Sequence, residues 1–152
     1  MEAGQKIKEV NIVSSNKQEQ MATDDAVVLM FLSLVEEDGM EIGVTLNING
    51  LVVSGTLIGA RAYYDGIIES YKELNDRTMS KILTKKFSDL KDGYLKQKQE
   101  QEDKDNKGNS ATFIHLKEAK YLGANHQSIS NKSTWWRGRI SSIDGFSFDA
   151  LG

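Results

Sequence analysis

Glu41-Ile42-Gly43-Val44-Thr45-Leu46-Asn47-Ile48-Asn49-Gly50-Leu51-Val52-Val53-Ser54-Gly55-Thr56-Leu57-Ile58 is the stretch that decides the fold. Ile42, Val44, Leu46 and Ile48 alternate with polar or small residues, and strict alternation is the mark of a half-buried strand. Asn49-Gly50 supplies the positive φ angles of a tight hairpin, so Leu51 to Ile58 returns as the second strand. Gly55 inside that strand predicts a sharp bend or a close backbone approach. Gly55 and Gly59 have the spacing of a membrane helix-packing motif, but the flanking alternation and the polar Asn47 and Asn49 argue against a helix here.

Upstream of the hairpin, Thr23 is placed to cap a helix, with Asp24 and Asp25 where the helix dipole favours negative charge. The helix carries Val27, Val28, Leu29, Met30, Phe31, Leu32, Leu34 and Val35 and ends near Gly39. Being apolar nearly all round, it needs cover on several sides, from its own core or from a second subunit; Phe31 and Leu34 are the candidates for the latter. Residues 1–20 read as a polar, disordered tail. Downstream, Tyr64, Ile67, Ile68, Tyr71 and Leu74 recur at helical spacing, and a second helical pattern runs through Met79, Ile82, Leu83, Phe87, Leu90 and Tyr94. From Lys96 to Asn109 nothing needs burying, which predicts a solvated loop or a frayed helix extension. Strands resume at Phe113 to Leu116, bend at Lys117-Glu118 and continue to Tyr121; Trp135 to Ile140 and Ile143 to Phe148 form two short strands joined through Ser141-Ser142. The expected class is α+β: about five strands in a small, strongly bent antiparallel sheet or barrel, with an N-terminal helix and a helical insertion at about 62–109. Residues 21–152 form one domain on this reading.

The chain has 152 residues, 39% hydrophobic and 27% charged, within the range of a single soluble domain. It contains no cysteine, which removes disulfides, thiolate nucleophiles and cysteine-ligated zinc. It also contains no proline, so its turns fall to glycine, asparagine, aspartate and serine. A net charge of -3 lacks the basic excess that backbone-phosphate binding needs, which disfavours nucleic acid as a partner. The first twenty residues lack the apolar core of a signal peptide, and Ala26 to Val35 is about half the length that spans a bilayer, so a cytoplasmic location without membrane is expected.

His115 and His126 are the only imidazoles, and no short His-Glu spacing, Gly-x-Ser-x-Gly elbow or phosphate loop is present. No cofactor, metal or catalytic residue is assigned; His115 reads as a hydrogen-bonded structural histidine within an apolar strand. Trp135, Trp136, Arg137 and Arg139 stand out instead, because aromatics beside guanidinium groups anchor interfaces. Adjacent tryptophans on a strand point to opposite faces, so one is expected in the core and the other in a contact or under another element.

Leu46-Asn47-Ile48-Asn49-Gly50, Val53-Ser54-Gly55-Thr56-Leu57-Ile58, Tyr63-Tyr64-Asp65, Phe113-Ile114-His115-Leu116-Lys117, Trp136-Arg137-Gly138-Arg139-Ile140 and Asp144-Gly145-Phe146 together resemble the gas vesicle accessory protein U family. The resemblance runs from about Ala22 to Phe148. It implies a non-enzymatic bacterial cytoplasmic protein that forms homo-oligomers and takes part in clustering gas vesicles, with the vesicle shell or other gas vesicle proteins as partners. A second similarity is to Sm-like small barrels: Gly55-x-Leu57 on the bent strand and Arg137-Gly138 before the last two strands match, while Gly59 to Tyr64 depart from the RNA-binding pattern. That similarity implies, as the alternative function, an RNA-binding ring.

Overall fold

The computed structural model describes residues 25–103, 112–123, 125 and 132–148. The elements run α1 (Ala26–Glu37), β1 (Ile42–Ile48), β2 (Leu51–Ile58), α2 (Ala60–Lys72), α3 (Arg77–Asp103), β3 (Phe113–Leu122), β4 (Thr134–Arg139), a 3-10 turn (Ile140–Ser142) and β5 (Gly145–Phe148). The five strands form one sheet in the order β4-β3-β2-β1-β5, and every neighbouring pair is antiparallel. The predicted polar tail, Thr23 and His126 lie outside the described residues.

The sheet is open, and this corrects the barrel half of the expectation. β4 and β5 sit at opposite edges and do not pair with each other. The physical reason is that helices, rather than the sheet itself, cover its two faces. On one face Val44, Leu46, Val53, Leu57, Ile114, Leu116 and Ala119 pack against Val28, Leu32 and Val35 of α1. On the other, Ile58 packs with Ala60, Tyr63, Tyr64 and Ile67 of α2, with Tyr71, Phe87 and Tyr94 around them. Interior strand β3 therefore buries Ile114, His115 and Leu116 in succession instead of alternating.

Local chemistry accounts for the element ends. Asp25 caps α1: its carboxylate accepts from the Val27 amide at 2.7 Å. Asp38 and Gly39, at φ 67°, close the helix. Asn49 and Gly50 both take positive φ, 51° and 84°, as a two-residue hairpin turn demands. Asp144 pins that turn to the last strand, accepting from the Asn49 amide at 2.7 Å while its own amide donates to the Asn47 carbonyl at 2.8 Å.

The start of α2 has no cap of its own, since Gly59 carries no side chain. Glu36, at the end of α1, supplies one. Its Oε1 accepts from the Ala60 amide at 2.7 Å and its Oε2 from the Tyr94 hydroxyl at 2.9 Å, with Lys98 Nζ 3.8 Å away. One carboxylate thus joins all three helices. Burial and the adjacent Glu36 charge both push the Tyr94 hydroxyl above its ordinary range, which keeps it a proton donor.

The bend expected at Lys117-Glu118 is present as an irregularity in both ladders of β3. The pairing of β2 with β3 shifts between Ser54 and Thr56, and that of β3 with β4 between Leu116 and Ala119. Glu118 takes φ 52° there. Gly55 faces this bulge: a Cβ on it would lie 3.0 Å from both the Ala119 Cα and the Lys117 carbonyl oxygen.

Candidate interaction surface

The register of β4 is set by its bonds to β3. The Ile140 amide donates to the Thr112 carbonyl at 3.0 Å, and Arg139, Gly138, Arg137 and Trp136 pair in turn with Phe113, Ile114, His115 and Leu116. In an antiparallel ladder the hydrogen-bonded positions alternate. With Ile140 bonded inward, the backbone N–H and C=O groups of Arg137 and Arg139 turn to the open edge.

The two tryptophans of β4 point to opposite faces, and both are half-buried. Trp135 reaches the α2 side, where its ring occupies the space that a side chain at Gly66 would need and its indole N–H donates to Ser70 Oγ at 3.0 Å. Trp136 joins the α1 side, lies over Gly138 and donates to the Tyr121 hydroxyl at 3.0 Å. Each ring thus has a hydrogen-bond partner and a glycine cut to its shape within the fold. Gly66, a glycine in mid-helix, was the sequence signal for the Trp135 berth. The Arg137 guanidinium stacks 4.0 Å above the Phe113 ring, and both Arg137 and Arg139 are exposed.

The α1 candidates divide differently. Phe31 is half-buried and stacks on Phe148 with ring centroids 3.8 Å apart, tying α1 to edge strand β5. Leu34 is half-buried and continues an outward stripe with the exposed Val27 and Met30. The β5 edge and the Leu34 stripe are therefore linked through Phe31, while Trp135, Trp136, Arg137 and Arg139 belong to the other edge of the sheet.

His115 is 4% exposed, 4.6 Å from the Tyr63 ring and 6.4 Å from the Tyr64 ring between centroids. Its Nε2 has no hydrogen-bond partner among the described residues. Burial first, and the Arg137 charge second, lower its pKa to about 4. An imidazole so enclosed is a neutral member of the packing. Among the described residues no group of three or more histidine, aspartate and glutamate side chains is arranged to hold a metal ion, and no helix is long and apolar enough to cross a membrane.

A family model described as gas vesicle protein GvpU-like matches residues 25–151. The chain belongs to the GvpU-like family. The match covers every element of this GvpU-like fold from α1 to β5. Comparison with curated proteins and with solved structures found no match, so the resemblance to Sm-like barrels gains no support.

Proposed function

We propose that this GvpU-like chain is a non-enzymatic gas vesicle accessory protein that self-associates and promotes clustering of gas vesicles in the cytoplasm. Its partners on this reading are the vesicle shell or other gas vesicle proteins. Family membership supports the connection with gas vesicles. The observation that carries self-association is the pair of edges, β4 and β5, on opposite sides of one sheet, to which no further strand is paired among the described residues. An unpaired edge presents a row of backbone donors and acceptors that a strand of another copy satisfies. The exposed Arg137 and Arg139 side chains flank one edge, and the Val27, Met30 and Leu34 stripe lies on the helix tied to the other. Several weak shell contacts in one assembly act at high effective concentration, so an oligomer bridges vesicles where a single copy does not.

Arg139 gives a clean test of the edge. Its φ of -79° is one that proline adopts, and its amide is not part of the β3 ladder. Arg139→Pro is therefore expected to leave the melting temperature within a few degrees of wild type and to lower the molar mass seen by light scattering. A wild-type chain that stays monomeric at every concentration up to the millimolar range would refute self-association.

A further inference from the structure

We infer that the outer face of α3 is a second self-association surface, one that pairs antiparallel with α3 of another copy. The inference rests on the self-association reading above and names where part of it occurs. α3 runs for 27 residues without one fully buried side chain. Its inner side is accounted for: Phe87 meets Tyr71, Tyr94 meets Tyr64, Lys91 pairs with Asp65 and Lys98 lies by Glu36. Its outer side carries Met79, Ile82 and Leu90, which are 53%, 54% and 53% exposed. At about 100° per residue these three fall with Lys86 and Gly93 in a stripe roughly 80° wide.

Charge selects the occupant and its direction. From Arg77 to Ser88 the helix carries Arg77, Lys81, Lys85 and Lys86 and no acid. Beyond that point its exposed charges are the acids Asp89, Asp92, Glu100, Glu102 and Asp103 with Lys96 among them, whereas Lys91 and Lys98 are drawn inward to Asp65 and Glu36. A parallel partner in register would set Lys85 and Lys86 against their like; an antiparallel copy sets the basic stretch of each helix toward Asp89 and Asp92 of the other. The register follows from the glycine. Gly93 has no atom within 4 Å of where a side chain would stand, so its own fold does not require the small residue, which weakens a helix. Seating the partner's Ile82 over Gly93 places Lys86 at the level of Asp89, and the two-fold axis makes each contact twice. A two-fold helix contact combined with pairing at the sheet edges joins copies in more than one direction, which suits an extended clustering assembly better than a closed dimer.

The test uses the full-length chain, measured by light scattering across a concentration series. Ile82→Lys and Lys86→Glu are each expected to weaken the association about tenfold or more. Asp89→Lys alone is expected to do the same, and the double variant Lys86→Glu with Asp89→Lys to restore association, a recovery that general surface damage does not produce. Because the chain has no cysteine, Ile82→Cys combined with Gly93→Cys is expected to give a disulfide-linked dimer on mild oxidation. Unchanged mass for Ile82→Lys and Lys86→Glu, with Arg139→Pro alone lowering it, would overturn the α3 surface and leave self-association standing. A wild-type chain that is monomeric throughout would overturn both.

Discussion

Gly55→Ala is expected to destabilise the folded chain by about 2–3 kcal/mol, with Gly55→Val costing more, as judged from urea unfolding. The added Cβ would stand 3.0 Å from the Ala119 Cα and 3.0 Å from the Lys117 carbonyl oxygen. Both obstacles are backbone, so no rotamer change relieves them. β3 must move, and it is a strand with buried side chains on both faces, paired to β2 on one side and β4 on the other. Its bulge already holds Glu118 at φ 52°, which leaves little room for further adjustment. Gly93→Ala is the matching control: it has open space around it and lies in a helix, so it is expected to be neutral or slightly stabilising as a monomer. Equal stability of wild type and Gly55→Ala would contradict the close approach of β2 to β3.

Acidification produces the second large effect. His115 is held with a folded-state pKa of about 4 against an ordinary value of 6.5. The unfolded chain therefore binds a proton at this position more readily than the folded one. The stabilisation is complete above about pH 6.5 and is lost as pH falls from there toward about 4. The full span corresponds to roughly 3 kcal/mol. Tyr63 and Tyr64 border the ring, and Arg137 is the cation that opposes its protonation. His115→Leu keeps the site apolar and is expected to flatten the decline of melting temperature between about pH 6.5 and 4.5, where aspartate and glutamate have only begun to titrate. Parallel declines for wild type and His115→Leu would show that His115 does not carry the dependence.

The sheet was legible because its signals are local. Alternation from Ile42 to Ile48 and the Asn49-Gly50 turn specify a hairpin without reference to anything distant, and Lys117-Glu118 marks the bend by interrupting an apolar run. Whether the sheet closes was not legible. Closure depends on whether β4 reaches β5, and the answer lies in how α1, α2 and α3 divide between the two faces, a tertiary arrangement that the apolar helices permit without specifying. The capping of α2 by Glu36 was hidden for the same reason, since the partners are 24 residues apart. For the interaction surface, opposed tryptophans follow from strand geometry alone. Mid-helix Gly66 marks a place left empty for another group, but which ring fills it is a matter of tertiary packing: Trp135 lies against Gly66 and Trp136 against Gly138. That finding is why the proposed contact is set at the backbone edge beside Arg137 and Arg139 and not at the tryptophan rings.

The central claim, that this GvpU-like chain clusters gas vesicles through self-association, is tested most directly by adding the purified protein to isolated, salt-washed vesicles. Wild-type chain is expected to float with the vesicles and to gather them into clusters visible by light scattering and microscopy, and Arg139→Pro to cluster them far less at equal concentration. Vesicles that neither retain the wild-type chain nor cluster in its presence would contradict it.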